Sequence, residues 1–411
     1  MSVPSTIAPS LRDSVRRELA SIVGSAWVLD TPDELIVYEC VGLTLHAWLP
    51  DFVVFPTCTE DVVKIMAVAQ RHKMPFLPRG AGTCLSGGAI AAEGGIILEF
   101  ARMKNILSLD FENRMATVEP GVVNLHLTQA AKRKNFYYAP DPSSQMVSTI
   151  GGNVAENSGG PHTLKYGVTT NHVLGLEVVL PDGELMWIGG KTRDAQGYDL
   201  VGLFVGPEGT FGIATKIVVR ILKKPQAVKT VLAVFDQIDQ AWGAVSAIIA
   251  RGLLPPAREM VDQLTIEAVE DAFGCGYPRD AAAVLLIELD GLSAGMEAQA
   301  ERVVQACRDC GARDVRAARD EAERQLLWKG RKSAFGAYGR VSPAYMVMDG
   351  VIPRSKLPYV PRRVNEIAAS HGLRVGNVFH ARDGNLHPNL LYDPPEPAIV
   401  APVLGAGGDI L

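Results

Sequence analysis

Two histidines bracket a tight-turn dipeptide near the carboxyl end of the chain. His380 and His387 lie in the segment FHARDGNLHPN that begins at Phe379, and Asp-Gly is among the preferred two-residue hairpin turns. A hairpin that turns at Asp383-Gly384 places His380 directly opposite His387, with Cβ atoms about 4.5–5.5 Å apart. Two imidazoles at this spacing can share a divalent metal, or they can simply stack and hydrogen-bond. The residues alone leave both arrangements open.

Four segments rich in glycine, serine and asparagine in the first half of the chain indicate a ligand site. They are PRGAGTCLSGG from Pro78, PDPSS from Pro140, IGGNVAENSGG from Ile150 and GPEGTFGI from Gly206. Glycine adopts φ > 0 and has no Cβ, so the N–H groups of such loops can converge on an anion. One loop of this kind is equally well a tight turn, but four of them indicate the walls of one extended groove.

The first of these loops suits a pyrophosphate but differs from two common nucleotide-binding loops. It directly follows an apolar strand, and it adds the hydroxyls of Thr83 and Ser86 and the charge of Arg79. Leu85 stands where the dinucleotide fingerprint G-x-G-x-x-G requires its third small residue, so a Rossmann NAD site is excluded. The Gly-Lys-Ser/Thr ending of a Walker loop is missing as well.

In this order the four segments resemble the FAD-binding domain of the vanillyl-alcohol oxidase / p-cresol methylhydroxylase type. Within that superfamily the chain resembles the FAD-binding catalytic subunits of bacterial glycolate oxidase, also called glycolate dehydrogenase, from about Tyr38 to its end. The resemblance implies an FAD cofactor. Members with covalent flavin carry a histidine where this chain has Thr83, so the FAD is expected to bind non-covalently.

The resemblance also implies which residues contact the flavin. Pyrophosphate contacts would come from Arg79, Gly80, Ala81, Gly82, Thr83 and Ser86. The isoalloxazine and ribityl region would be lined by Pro140, Asp141 and Ser144. The residues packed against the flavin would be Gly151, Gly152, Asn157 and Gly160, with Glu208 and Ile213 near the adenosine end.

A metal and a substrate site follow from the same resemblance. HARDGNLHPN is similar to the family segment H-x-G-D-G-N-x-H-x-N, which implies that His380 and His387 bind a divalent metal such as zinc, manganese or iron. Asn385 and Asn389 would contact the substrate or the metal ligands, whereas Arg382 replaces a family glycine.

A cation for the substrate carboxylate is also implied. Arg331 of the segment WKGR matches the family arginine that makes this contact, and an arginine fork suits a carboxylate. By composition alone Arg331 is equally well a solvated helix charge. Asp349 is a weaker neighbour of the site. The family continues to a Gly-Glu-His-Gly segment that supplies a metal-binding glutamate and the catalytic base. The sequence reaches Leu411 without it, so a shortened C-terminal domain is expected, and metal binding and turnover stay open.

Apolar patterns place these motifs on an α+β fold. Residues 1–50 are read as an N-terminal helix around 11–23 and a lead-in, and 51–225 as a p-cresol methylhydroxylase-type FAD-binding domain with two α/β subdomains. A strand at 52–55, a helix capped by Thr57 and Glu60, and a strand from Phe76 predict a parallel β-α-β pair. Residues 226–411 repeat a strand-helix-strand pattern, which predicts a ferredoxin-like α+β substrate or cap domain, apparently truncated.

Composition supports a folded, soluble enzyme. The sequence is 47% hydrophobic and 21% charged with a formal net charge of -5, which argues against disorder and against a dedicated nucleic-acid binder. No apolar run approaches the ~20 residues of a spanning helix, and the first residues lack a signal-peptide core. We therefore expect a cytoplasmic protein, which partners could hold at the inner membrane.

The expected function is FAD-dependent oxidation of a small D-2-hydroxy acid, with glycolate to glyoxylate first. Hydride would pass from the substrate to flavin N5, where the flavin meets the second domain, and electrons would go to an acceptor other than oxygen. The family implies a second flavin-fold subunit and an iron-sulfur subunit. The six scattered cysteines of this chain provide no cluster site of its own. The alternatives are a D-lactate dehydrogenase of the same fold and a catalytically inactive flavoprotein subunit.

Overall fold

A computed structural model describes residues 7–43, 45–192, 197–357, 359–380, 384–393 and 397–411 of the chain. These residues fold into two units. The first comprises Met1–Gly160 and Tyr166–Lys224, and the second comprises Pro161–Lys165 and Pro225–Leu411. The short segment Pro161–Lys165 therefore belongs to the second unit although it lies in sequence within the first.

The strands and helices alternate along most of the chain. The strands are β1 (Val28–Leu29), β2 (Phe52–Val54), β3 (Phe76–Arg79), β4 (Ile96–Glu99), β5 (Ile106–Asp110), β6 (Met115–Val118), β7 (Phe136–Tyr137), β8 (Val173–Val179), β9 (Leu185–Gly189), β10 (Ile213–Arg220), β11 (Leu222–Lys223), β12 (Ala227–Phe235), β13 (Ala257–Asp262), β14 (Ala283–Gly291), β15 (Asp314–Ala317), β16 (Ala344–Val347), β17 (Gly350–Val351), β18 (Arg374–His380) and β19 (Asn385–Tyr392). The α-helices are α1 (Pro9–Val23), α2 (Pro32–Leu35), α3 (Thr59–His72), α4 (Asn124–Ala131), α5 (Ile150–Glu156), α6 (Thr163–Tyr166), α7 (Leu200–Leu203), α8 (Ile238–Ala250), α9 (Gln263–Phe273), α10 (Met296–Asp309), α11 (Glu321–Lys332), α12 (Ala334–Ala337), α13 (Val360–Ser370) and α14 (Pro397–Ile410).

A small parallel sheet opens the first unit. Its strand order is β1-β2-β4-β3, and β4 pairs in parallel with both β2 and β3. The prediction that β2 and β3 form a parallel pair was wrong in one respect, because β4 lies between them. The apolar run of β4 is buried on both faces, which suits a central parallel strand.

Helix α3 forms because its apolar residues recur on one face. Val62, Ile65, Met66 and Ala69 are all buried against the sheet. The predicted capping box was wrong in its partner: the backbone N–H and hydroxyl of Thr57 donate to the Asp61 carboxylate, at 2.9 and 2.7 Å. One residue more in the turn brings Asp61 rather than Glu60 to this position.

A five-stranded antiparallel sheet completes the first unit. Its order is β5-β6-β10-β8-β9. The predicted hairpin is confirmed: β8 and β9 pair in register, and Gly183 in the connecting turn has φ +88°. Glycine is required at that turn because other side chains rarely adopt a positive φ.

The second unit is built on one sheet whose order is β15-β12-β14-β13-β18-β19-β16. Its first four strands, taken in chain order, stand in the order 4-1-3-2 and are antiparallel, which is the predicted ferredoxin-like arrangement. The hairpin β18–β19 extends this sheet from the edge of β13. The hairpin that carries the two histidines is therefore continuous with the ferredoxin-like core.

Two apolar clusters cover the two faces of this sheet. Helices α8 and α10 cover one face, and α9, α11 and α12 cover the other. Buried charged residues interrupt the second face, and they are the basis of the site described below. Among the described helices, none has the length and apolar composition that crossing a bilayer would require.

Candidate active site

The glycine-rich loops of the first unit approach one another more closely than side chains would allow. A Cβ on Gly80 would lie 2.3 Å from Thr149 Oγ1, and a Cβ on Gly88 would lie 2.7 Å from Glu208 Oε2. The loop after β3 thus contacts the start of α5 and the loop before β10. Three of the predicted segments therefore form one cluster.

The remaining segment, PDPSS from Pro140, joins the same cluster through Asp141. A Cβ on Gly160 would lie 2.3 Å from the Asp141 carbonyl oxygen. Asn157 ends α5 with φ +51°, and its Oδ1 accepts a hydrogen bond from Thr170 N at 3.0 Å. Pro140 is fixed from the other side, because Asn124 Nδ2 donates to its carbonyl oxygen at 3.0 Å.

This cluster fits a dinucleotide cofactor in two respects. Its walls consist of loops whose glycines leave no room for side chains, so backbone N–H groups can approach a bound group closely. In addition, the buried Asn153 Nδ2 has no hydrogen-bond partner among the described residues. A buried donor of this kind is costly unless a ligand or water accepts its hydrogen bond.

The Arg79 side chain orders the first glycine-rich loop. Its guanidinium is buried and donates to the carbonyl oxygens of Tyr38, Ala89 and Cys40 at 3.1, 3.2 and 2.9 Å. These donors are used to order the loop, and the predicted contact of Arg79 with the pyrophosphate stays a prediction. A Cβ on Gly82 would also meet this guanidinium, at 2.5 Å.

The other predicted cofactor residues differ in which of their atoms a ligand could contact. The Ile213 side chain is buried in the apolar core, so a ligand can meet only its backbone. The Gly152 N–H donates to Thr149 Oγ1 at 3.2 Å and caps α5. The hydroxyl of Ser86 faces Glu156 at 3.4 Å. Ala81, Thr83 and Ser144 lie in the same loops and Gly151 in the first turn of α5, and their contact with a cofactor stays a prediction.

Two carboxylates lie beside the loop that follows β3: Glu156 of the third segment faces Ser86, and Glu208 of the GPEGTFGI segment lies by Gly88. Burial, and after it the charge of Glu208, raise the pKa of Glu156. Glu208 itself has φ +53°, and its N–H donates to Ala155 O at 2.9 Å. Carboxylates repel a diphosphate, so this end of the cluster suits hydroxyl groups, as predicted for the adenosine end.

The histidine hairpin of the second unit has a different register from the one predicted. His380 pairs with Asn385, and His387 pairs with Val378. Ala381, Arg382 and Asp383, the first residue of the predicted turn, lie outside the described residues. Because side chains alternate between faces with a period of two, this two-residue shift keeps both histidines on one face. Their ring centroids are 5.1 Å apart, with the ring planes at 87°.

A buried ion pair lies beside the first histidine. Arg331 Nη2 lies 2.5 Å from Glu259 Oε2, and the two side chains are 1% and 0% exposed. His380 Nδ1 lies 2.8 and 3.0 Å from the two Glu259 oxygens. A carboxylate partner favours the tautomer with hydrogen on Nδ1, which leaves the Nε2 lone pair available.

Arg331 retains unused donors. Its Nε and Nη1 are buried and have no hydrogen-bond partner among the described residues. This finding rejects the view of Arg331 as a solvated helix charge. A buried guanidinium with unsatisfied donors fits an anion, because a carboxylate can accept the missing hydrogen bonds.

The second histidine is held neutral. Burial, and then the nearby His380 and Arg331, lower the pKa of His387 well below its ordinary value. Its Nδ1 lies 3.6 Å from Asp349 Oδ2, a carboxylate that is 53% exposed. Neutral imidazole is the form that binds metals. Within the described ranges, however, no group of three or more His, Cys, Asp or Glu side chains forms a metal-binding set.

The two predicted asparagines differ in their contacts. Asn385 lies opposite His380 in the hairpin and so projects to the same side. Asn389 Nδ2 donates to the backbone oxygens of His387 and Gly376, at 2.7 and 3.2 Å, which supports the hairpin itself. Its predicted contact with the substrate or the metal ligands stays a prediction.

Glu259 is the site residue that was missed. It lies in the buried strand Ala257–Asp262, whose sequence AREMVD carries charges inside an apolar pattern. A buried charge needs a partner, so this pattern could have singled out Glu259. It could not have named Arg331 and His380 as the partners.

Comparisons with known proteins agree with this architecture. Residues 50–189 match the family of FAD binding domains. Residues 224–410 match the C-terminal domain of FAD linked oxidases. The crystal structure of p-cresol methylhydroxylase with substrate bound has the same fold, with a TM-score of 0.81 and 18% identity over 100% of this chain and 88% of that chain.

Relatives at higher identity include glycolate oxidase and D-lactate dehydrogenase chains. The glycolate oxidase subunit GlcD of Escherichia coli K12 is 48% identical over 97% of this chain and 80% of its own length. The subunit GlcD of Bacillus subtilis is 41% identical over 92% and 81%. A D-lactate dehydrogenase of Archaeoglobus fulgidus is 35% identical over 83% and 75%. The chain is an FAD-linked oxidoreductase that belongs to the family of the glycolate oxidase subunit GlcD.

Proposed function

We propose that the chain oxidises a small D-2-hydroxy acid, with glycolate to glyoxylate as the first candidate, and that FAD accepts the hydride at N5. The observation that carries this proposal is Arg331, a buried guanidinium with two unused donors beside two histidines. The FAD supplies the redox chemistry. The residues described above bind and orient the acid.

Each polar residue of the second unit has a distinct part in this proposal. Arg331 donates hydrogen bonds to the substrate carboxylate from Nε and Nη1, which have no partner among the described residues. Glu259 holds the guanidinium at Nη2. Glu259 also orients His380 and keeps its Nε2 free of hydrogen. Asn385, on the same side of the hairpin, contacts the substrate hydroxyl. Burial of the ion pair excludes water and strengthens these interactions.

We also propose that His380 and His387 hold a divalent metal, either zinc, manganese or iron. Two imidazoles on one face, one of them held neutral, fit this role. Such an ion would lower the pKa of a bound hydroxyl. The remaining coordination positions would be filled by solvent and substrate, because the described residues provide no third ligand.

The first unit is proposed to bind FAD through the loop cluster. The backbone of Gly80, Ala81, Gly82 and Thr83 would contact the pyrophosphate, with Ser86 beside it. Pro140, Asp141 and Ser144 would line the flavin ring, Gly151, Gly152, Asn157 and Gly160 would pack against it, and Glu208 and the Ile213 backbone would lie near the adenosine. Non-covalent binding is supported by Thr83, since it offers no imidazole for attachment.

We propose that electrons leave through partner subunits. The relatives are named as subunits, and all six cysteines of this chain are free thiols without a cluster-binding arrangement among the described residues. A second flavin-fold subunit and an iron-sulfur subunit would supply the path to an acceptor other than oxygen. Such partners would also allow peripheral attachment of a cytoplasmic protein to the inner membrane.

D-Lactate is the second candidate substrate, because a D-lactate dehydrogenase is among the relatives. Glycolate and lactate differ by one methyl group, which a pocket distinguishes by only about 10–200-fold. The test is dye reduction by the purified FAD-loaded protein with glycolate, D-lactate and L-lactate, beside the variants Arg331→Met and Arg340→Met. Arg340 is exposed and serves as the matched control.

The expected result is oxidation of glycolate or D-lactate by the unmodified protein and by Arg340→Met. Arg331→Met should retain its flavin and lose at least about 100-fold in kcat/KM, since a charged hydrogen-bonded contact is removed. A yellow protein that oxidises none of the three acids would favour the inactive flavoprotein subunit. Full activity of Arg331→Met would contradict the assigned carboxylate site.

A further inference from the structure

A second buried carboxylate lies on the same sheet face as Glu259. Glu288 is 4% exposed. It accepts hydrogen bonds from Thr230 Oγ1 and Arg324 Nη1, both at 3.0 Å, and from Trp328 Nε1 at 2.6 Å. Its other oxygen lies 2.9 Å from His162 Nε2. Burial alone would raise the pKa of Glu288, but these contacts, led by His162, lower it. The carboxylate therefore stays ionised, and both of its oxygens have partners.

His162 reaches this carboxylate from the strap segment, which is Pro161–Lys165. The strap segment follows the glycine-rich segment 150–160 in sequence but folds as part of the second unit. Lys165 attaches it a second time, through Asp290 and the Asp290 carbonyl oxygen at 2.9 Å. The His162 ring also packs on the Trp328 indole, with centroids 5.7 Å apart and planes at 34°.

Helix α11 connects this network to the substrate carboxylate site. Arg324, Trp328 and Arg331 follow one another at spacings of four and three, so they share one face of the helix. Register places Glu259 and Glu288 on one sheet face, because Glu259 pairs with Leu286, two residues before Glu288. The helix thus contacts two carboxylates: Arg324 and Trp328 contact Glu288, and Arg331 contacts Glu259.

The carboxyl end of α11 is held just as closely. The Tyr277 hydroxyl donates to Leu327 O at 2.5 Å. A Cβ on Gly330 would lie 3.0 Å from the Tyr277 ring. The position of Arg331 along the sheet therefore depends on the contacts of the whole helix, and Glu288 makes two of them.

We propose that His162 is a positioning residue for the substrate carboxylate. By contacting the second oxygen of Glu288 and packing on Trp328, it sets the position of α11 and hence the direction of the Arg331 donors. The inference rests on the proposed function, since it assumes that Arg331 binds the carboxylate. It adds a residue that touches neither substrate nor flavin. The strap segment thereby links the chain that leaves the predicted flavin loop to the substrate-binding arginine.

The test uses the FAD-loaded protein and the variants His162→Ala, His162→Gln, Trp328→Phe and Lys165→Met. The readouts are the dissociation constant of oxalate, a carboxylate without a transferable hydride, and KM and kcat for glycolate. His162→Ala should weaken oxalate binding and raise KM about tenfold with kcat changed less than about threefold, while His162→Gln, which keeps a donor, stays within about threefold. Trp328→Phe removes another bond to Glu288 and should resemble His162→Ala.

Lys165→Met is the matched control, because it releases the strap segment from Asp290 without touching Glu288. It should leave oxalate affinity unchanged. Equal oxalate affinity in His162→Ala and the unmodified protein would overturn the proposal, as would an equal loss in Lys165→Met. If His162→Ala fails to fold, Trp328→Phe and His162→Gln decide the matter. If the unmodified protein binds oxalate but oxidises no hydroxy acid, only the proposed function fails. If it binds neither oxalate nor glycolate, the proposed function and this inference both fail.

Discussion

Arg331 and Glu259 show how a buried charge can serve two purposes at once. Removing two ions from water is costly, and their attraction offsets that cost only when further hydrogen bonds are made. Here Glu259 is shared between Arg331 and His380, whereas two nitrogens of Arg331 have no partner in the part of the chain that the structure describes. The unsatisfied side of the pair points to binding of a ligand rather than to stability alone.

The contribution of this ion pair to protein stability can be measured separately from its contribution to glycolate oxidation. Arg331→Met leaves Glu259 as an uncompensated buried charge, so we expect a loss of about 3–5 kcal/mol in the free energy of unfolding. The double variant with Glu259→Gln should recover most of this loss, because no buried charge remains. Urea unfolding of the two variants measures the difference. Glycolate oxidation should stay absent in both; its return in the double variant would contradict the role of Arg331.

Glu99 gives the first unit a pH-dependent stability. Burial, which outweighs the nearby charge of Arg79, raises the pKa of Glu99 to about 8. The folded state therefore binds this proton more tightly than the unfolded state, and the free energy of unfolding falls as pH rises toward 8. The slope is at most about 1.4 kcal/mol per pH unit.

The matching variant is Glu99→Gln, which cannot ionise. We expect the unmodified protein to lose stability relative to Glu99→Gln between about pH 5 and about pH 9. Urea unfolding at the two pH values checks this, with the exposed Glu112→Gln as control. A stability difference that is independent of pH would show that Glu99 is not strained by its ionisation.

At the scale of elements, the loops of the first unit depend on glycine where they meet. Gly160→Ala would place a Cβ 2.3 Å from the Asp141 carbonyl oxygen, so two loops must separate. We expect FAD content after purification to fall at least about tenfold, since backbone approach to the cofactor is lost. Gly190→Ala is the control, because none of the described residues lies within 4 Å of its Cβ. Equal flavin content in both variants would exclude this loop from the FAD site.

Periodicity and turn chemistry predicted the helices and strands better than the order of the strands within a sheet. Helix α3, the hairpin β8–β9 and the ferredoxin-like strand order were all predicted, because each depends on local pattern or on a common connection rule. The insertion of β4 between β2 and β3 was missed, since pairing across a sheet leaves no trace in the sequence of either strand.

The site was predicted in the same uneven way. The glycine loops and both histidines stand out by residue type and spacing. The register of the hairpin does not, because the contact of Gly384 with the Ile352 carbonyl is non-local. The contacts of Arg79 and Glu259 were missed for a related reason: a charge in the sequence does not show whether it faces a ligand or a backbone oxygen in the interior.

For the whole molecule, one chain combines a cofactor unit with a substrate unit that is expected to hold a metal. Dialysis against a chelator should lower glycolate turnover more than about tenfold and leave the flavin bound, because the two sites use different residues. Zinc, manganese or iron should restore activity, but not in His387→Asn. His371→Asn is the control, because His371 is half-buried and pairs with Asp409. Activity that resists chelation would show that the two histidines act without a metal.

The most direct test of the central claim is the flavin spectrum of the purified protein under anaerobic conditions. A yellow protein whose flavin is bleached by glycolate or D-lactate, but not by L-lactate, is the predicted result. This result requires both a bound FAD and the proposed binding of the acid. A protein that remains colourless and takes up no FAD, or a bound flavin that no D-2-hydroxy acid reduces, would contradict the account.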